Sequence, residues 1–233
     1  MINRILVIFF IIFSSFNQFA FATDGLPATA STKGKGSIVD DRESPYNLNN
    51  KKTIQGSINI SVKELGNRWS QIQNIDDVNV ISEFTYENSH YKIIINKAMP
   101  RHPFGKYTTF FGVAYHEEIN GDTFIGTSEL PKLTPDIALW GWAEIIRDNK
   151  VIAKMAPAHV KVMSSPPLKG IILEVDTESK GLMEVPNGYL TVFWSKIDSL
   201  NMPETQEKQR ERIGWIVLII MNTGFLWLAV KEK

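Results

Sequence analysis

The chain has 233 residues, with 25 basic and 25 acidic side chains and no cysteine. Balanced charge leaves no electrostatic footprint for nucleic acid, so no nucleic-acid partner is expected. The absence of thiols excludes disulfides, thiolate catalysis and Cys-ligated zinc or iron–sulfur centres, so an exported domain of this size must stand on its hydrophobic core.

Residues 1–22 read as a secretory signal peptide. Arg4 precedes an unbroken apolar run from Ile5 to Phe13, and Ala20-Phe21-Ala22 supplies the small-x-small cleavage triplet. Nine apolar residues are too few to cross a hydrocarbon core roughly 30 Å thick, so cleavage after Ala22 is expected, with Thr23 starting the mature chain outside the cytoplasm. Residues 23–52 are rich in Gly, Ser, Thr, Asn and Asp without sustained periodicity, which predicts a flexible linker. Gly34-Lys35-Gly36 is not a phosphate loop, because no strand–loop–helix frame surrounds it.

Residues 53–200 alternate apolar and polar side chains in short runs. Strand candidates cover 53–60, 78–87, 91–99, 107–119, 122–127, 136–147, 151–163, 169–175 and 188–197, and only Val62 to Gln73 suits a short helix. The pattern predicts an all-β domain, an immunoglobulin-like antiparallel β-sandwich of about seven to nine strands. Two hairpins can be registered. Asn120-Gly121 accepts positive φ and would set His116 opposite Ile125 and Glu118 opposite Thr123. Asp148-Asn149 would pair Trp142 with Met155, Trp140 with Pro157, and Ala138 with His159.

The stretch "KMAPAHVKVM", Lys154 to Met163, concentrates soft ligands. With period two, Met155, Pro157, His159, Lys161 and Met163 share one face, and the hairpin puts Trp140 and Trp142 on that face. Two descriptions compete. In the first, Met155 packs on Trp142 and His159 ends an apolar patch. In the second, the thioethers and the imidazole bind copper(I) beside the tryptophans. Same-face residues four apart lie about 13 Å from each other, so one strand gives one ligand and the rest must come from elsewhere. The candidates are Met99 and His102 in "KAMPRHPFG" and His116 beside Glu118, the last better suited to zinc or copper(II). The metal-ligand set is therefore His159, Met155, His102, Met99 and His116. Trp140 and Trp142 read either as an interior strand or as a partner-binding patch, since Trp is enriched in hot spots. His90 reads as plain surface.

Residues 201–212 form a charged juxtamembrane stalk with Pro203 in the first turn of its helix, and 213–230 is an uncharged run of roughly 27 Å as a helix, a transmembrane span. Trp215 and Trp227 sit near its ends, and Lys231 and Lys233 mark the cytoplasmic tail, 231–233. Lys208, Arg210 and Arg212 on the other flank leave the orientation to the signal peptide. Asn222 and Thr223 fall at mid-membrane, where polar side chains do best by bonding a neighbouring helix.

No Gly-x-Ser-x-Gly, His-Glu-x-x-His or phosphate-loop motif is found, so no catalytic residue is assigned and no enzyme is expected. These readings predict a single-pass cell-membrane protein with its bulk extracytoplasmic, periplasmic or at the cell surface. The expected role is that of a non-catalytic accessory, binding or assembly subunit whose partners are the membrane and another membrane protein or a second copy. No cofactor is expected apart from copper. The alternative role is a periplasmic copper-binding or copper-delivery domain using His159 and Met155 with His102, Met99 or His116. A third is a hydrolase with an unrecognised site.

Overall fold

The computed structural model describes residues 26–39, 51–65, 76–99, 102–104, 108–110, 112–183, 185 and 188–203. The expected signal peptide (1–22), most of the stalk, the transmembrane span (213–230), the tail (231–233), and with them Asn222 and Thr223, lie outside the described residues. So does the candidate helix beyond Leu65. Among the described residues no helix is long and apolar enough to cross a membrane.

The chain is all-β. In order its strands are β1 (Leu26–Val39), β2 (Lys51–Glu64), β3 (Asp77–Tyr86), β4 (Ser89–Ala98), β5 (His102–Phe104), β6 (Thr108–Phe110), β7 (Val113–Tyr115), β8 (Ile137–Arg147), β9 (Lys150–Met163), β10 (Gly170–Asp176), β11 (Tyr189–Trp194) and β12 (Ser199–Asn201). β1, β2, β3, β4, β8, β9, β10 and β11 pair in that order, all antiparallel, and β11 pairs back onto β1 through Ser37↔Phe193 and Val39↔Thr191. The result is a closed eight-stranded up-and-down barrel. The expected sandwich is corrected on this point: one sheet closes on itself where two sheets were predicted. Alternation with period two puts a core on one side of a strand in either architecture, so it could not separate them. What separates them is connectivity. Each barrel strand is followed around the wall by the next barrel strand in the chain, and two-residue turns with positive φ at Glu87, Asn88, Asp148 and Asn149 join β3 to β4 and β8 to β9.

β1 is the second correction, since Leu26–Val39 falls in the stretch expected to be a flexible linker. The inward positions of β1 are Ala28, Ala30, Thr32, Gly36 and Ile38, so alternation is present but, Ile38 apart, written in small residues that carry little hydropathic signal. At Gly36 the small residue makes room for the neighbouring strand β11. A Cβ on Gly36 would lie 2.8 Å from Nε1 of Trp194, a fully buried side chain. Ile58, Val80, Ile93, Ile95, Leu139, Val160, Ile171, Leu173 and Val192, all at 0 % exposure, fill the rest of the interior.

Between β4 and β8 the chain makes a long excursion. Met99 N–H donates to the Trp140 carbonyl and Trp140 N–H donates to the Gly112 carbonyl, so the excursion leaves and returns at one residue of β8. It carries the β5–β6 hairpin, and then β7 extends the β8 edge where β4 ends. β7 is tied to the end of the barrel: Asp76 accepts from Leu65 N–H and Val113 N–H at 2.9 and 2.8 Å, and Tyr115 Oη donates to the Leu26 carbonyl at 2.6 Å.

The expected Asn120-Gly121 hairpin does not form. Both residues adopt positive φ, as their types favour, but the bond from Asn120 N–H goes to Ile125, a single 3-10 turn spans Gly121–Thr123, and Ile119 bridges Leu133 instead. This Ile119–Leu133 loop lies over the outer face of the wall. Ile119 and Leu133 pack there with Val39, Met99, Ala138, Trp140, Met163, Ile172 and Phe193. The barrel therefore has a second apolar layer outside β8 to β11.

Candidate functional site

The Asp148-Asn149 turn forms, and the face assigned to Trp140, Trp142, Pro157, His159 and Lys161 holds, but the register differs by two. The observed pairs are Trp142↔Pro157, Trp140↔His159 and Ala138↔Lys161. Two irregularities, one between Ile146 and Ile145 and one between Ile145 and Ala143, each add a residue to β9. Together they keep parity and slide every partner two positions. Met155 sits at this step with φ 56 and 42 % exposure, and Pro157 takes the place opposite Trp142 that was expected for it.

One row of outward positions then crosses the wall: Met99, Trp140, His159, Glu174, Thr191 and Val39. The His159 ring stacks on Trp140 with centroids 4.2 Å apart and planes 17° apart. His159 Nδ1 lies 3.4 Å from Glu174 Oε2, and Lys161 Nζ lies 2.6 Å from the same oxygen. Lys161 and Glu174 are almost wholly buried, whereas the His159 side chain keeps 15 % exposure. His159 Nε2 and Glu174 Oε1 are buried atoms with no hydrogen-bond partner among the described residues.

The electrostatics follow from this packing. Burial first, and then the Lys161 charge, push the imidazole down to about 4, against the opposing hydrogen bond and charge of Glu174. Burial by itself would raise the Glu174 carboxyl, but Lys161 and the His159 hydrogen bond outweigh it and hold the group at about 2. Burial likewise lowers the Lys161 ammonium, with Glu174 opposing. The cluster is a buried pair of Lys161 and Glu174 at 2.6 Å with an imidazole beside it whose protonation burial disfavours. Because the carboxylate accepts at Nδ1, the imidazole carries its proton there and leaves Nε2 as the unprotonated nitrogen.

The five candidate metal ligands are divided by the fold. Met99 and His159 come into one row on either side of Trp140. His102 is in β5, three residues beyond Met99 on the excursion that starts at Trp140. Met155 is displaced to the step in β9. His116, with φ 51 and 48 % side-chain exposure, has Nδ1 3.7 Å from Asp136, and its N–H donates to the Asp136 carbonyl, just before β8 and four residues from Trp140 in the chain. Among the described residues no three His, Cys, Asp or Glu side chains are grouped to hold a metal ion. Trp140 is a buried wall residue and Trp142 a partly buried one packed on the same cluster, so the interior reading of the two tryptophans accounts for their packing.

Sequence reasoning missed Glu174 and the role of Lys161. Each is a charged residue in an apolar run, "KGIILEV" and "AHVKVM", and that charge among apolar neighbours is the one sequence signal they carry. Comparison with protein-family models, curated proteins and solved structures finds no match for this chain.

Proposed function

We propose that the protein is an extracytoplasmic β-barrel, anchored to the cell membrane by its C-terminal residues, that serves as a non-catalytic accessory or assembly subunit of an envelope membrane complex. The observation that carries the reading is the filled interior. Up-and-down barrels of eight strands either enclose one small ligand or pack solid, and here Trp194 and the aliphatic layers occupy the space. Interactions are then made by the outer wall and the excursion. The signal peptide and the charge-free run at 213–230 support the location, and Asn222 and Thr223 support a partner helix, another membrane protein or a second copy. The test is the native mass of the full chain extracted in mild detergent. An assembly larger than the monomer, reduced to monomer by Asn222→Leu with Thr223→Val, is expected; a wild-type protein that already migrates alone sinks the reading.

A second reading, copper binding or delivery, is supported by one specific observation. Burial disfavours protonation of His159, a carboxylate orients its ring through Nδ1, and Nε2 is a buried acceptor with no hydrogen-bond partner among the described residues, in a row that includes Met99. Titration of the full chain with copper(I) tests it, and affinity no better than micromolar rejects it.

A further inference from the structure

We infer that the outer wall of β3, β4, β8 and β9 is the surface through which two copies of this chain pair, in a twofold contact centred on Ile94 and Ile146. Most outward positions of the open part of the wall are polar, as at Asn59, Asn79, Thr85 and Asn96. One stripe across four neighbouring strands departs from this. Ile81 pairs with Ile94 and Ile146 pairs with Val151, all four at outward positions, with Val151 41 % exposed and the isoleucines part-exposed. Charged residues flank the stripe on both sides, which gives the anatomy of a contact surface, apolar at the centre and polar at the rim. The inference rests on the reading of the protein as a membrane-anchored assembly subunit and names its partner. Confinement to one membrane raises the effective concentration of the copies, as a contact of a few residues requires.

The surface fits a second copy because it is complementary to itself. Lys92 pairs with Ile146 and Ile94 with Glu144, so these four outward residues stand at the corners of a rectangle of about 4.8 by 6.8 Å at the backbone. The isoleucines hold one diagonal and the opposite charges hold the other. A twofold axis lying in the contact along the isoleucine diagonal returns each isoleucine to itself and exchanges the charged corners. Lys92 of one copy then faces Glu144 of the other, and the reverse, to within roughly 3 Å at the backbone, a mismatch that two long side chains absorb. Each of the two already holds an ion pair in its own barrel, Lys92 with Glu83 at 2.7 Å and Glu144 with Lys154 at 3.7 Å. The contact therefore joins two pairs into a chain of alternating charge and strands none of them. These four charges cancel, so the surface has no pull on an anionic lipid. A patch that matches itself about a twofold axis closes on one partner and does not propagate.

The experiment follows the native mass of the full chain in mild detergent over a dilution series. The wild type is expected to be a dimer. Lys92→Glu and Glu144→Lys should each weaken it by about 10-fold or more, because each sets like charges together at both symmetric contacts. The double variant Lys92→Glu/Glu144→Lys restores opposite charges across the contact and should return to within about 3-fold of the wild type, a recovery that damage to the fold would not produce. Val151→Asp should weaken the dimer by about 10-fold. The chain has no cysteine, so Ile94→Cys supplies a single thiol beside the axis. A short bis-maleimide is expected to link it to its own copy and to leave Thr29→Cys, on the exposed face of β1, unlinked. A dimer that both single charge variants retain, a double variant as weak as either single, or a link from Ile94→Cys to a different protein overturns this assignment. If Asn222→Leu with Thr223→Val still disperses the assembly in that case, the assembly reading stands without it. A wild type that migrates alone overturns both.

Discussion

The β2–β4 half of the wall and the β8–β11 half are built from the same antiparallel pairing and face different surroundings. In β3 the outward positions Asp77, Asn79 and Thr85 are exposed while Val78, Val80, Ser82, Phe84 and Tyr86 are buried, the alternation of a sheet with one wet face. In β10 every residue from Gly170 to Val175 is buried, and in β11 every residue from Leu190 to Trp194. The difference is the excursion between β4 and β8, whose Ile119–Leu133 loop covers one half and leaves the other open. A charge on the open half is solvated, as for Glu83 and Lys92, with side chains 42 % and 36 % exposed. The same pair type on the covered half, Lys161 and Glu174, is sealed. The cover thus turns an ordinary cross-strand ion pair into a buried charged cluster with an imidazole set beside it.

This contrast can be broken most forcefully at Glu174. Glu174→Ala strands the buried Lys161 ammonium and is expected to destabilise by about 3–5 kcal/mol in urea unfolding, whereas Glu174→Gln/Lys161→Met should be close to neutral. A single variant that unfolds like wild type would mean the pair is not sealed. Removing the cover comes next. Leu133→Ala should lose about 2–4 kcal/mol and move Trp140 emission to the red, as water reaches the row.

Acid should sharpen the contrast by a comparable amount. In the unfolded chain His159 takes up its proton near 6.5, but in the barrel only near 4. Between those values unfolding binds a proton, so stability falls as pH is lowered from about 6.5 to 4, by on the order of 3 kcal/mol. Glu174 carries the loss further, from its ordinary range down to about 2. His159→Gln should flatten the upper part of this profile, and an unchanged slope would place the titration elsewhere. The smallest effect is expected on the open half, where Glu83→Gln should change stability by less than about 1 kcal/mol and less still at high salt.

The strands of the open half were legible because each wears its polarity on one side. β9 was legible as a strand, yet its register was not, because the two inserted residues around Met155 satisfy no sequence rule and leave the faces unchanged. β1 was hidden for the opposite reason: most of its inward residues, Ala28, Ala30, Thr32 and Gly36, are small or weakly apolar, and the room that Gly36 leaves for Trp194 is invisible until the partner strand is known. The Asn120-Gly121 pair had the backbone preference of a hairpin turn and uses it, but Ile119 bridges Leu133 and both are buried in the Trp140 cluster, contacts that no local pattern announces. Of the candidate site, His159, Met99 and the tryptophans were visible as residue types. Glu174 was not, because nothing in "KGIILEV" says which strand stands beside it.

The amino-acid sequence by itself determined the β class, most of the strands, the Asp148-Asn149 turn and the face that His159 shares with Trp140, since all of these follow from period-two alternation and turn chemistry within about ten residues. Only the tertiary structure decided that the sheet closes on itself, that the outer wall of β8 to β11 is covered, and that Lys161, Glu174 and Met99 meet His159 in or beside one row. Closure depends on Val39 meeting Thr191, more than 150 positions apart in the chain. The cluster depends on four strands lying side by side, and burial by a loop from elsewhere sets its charges. Contacts between distant segments carry no local signature, and the chemistry of this site is made of such contacts.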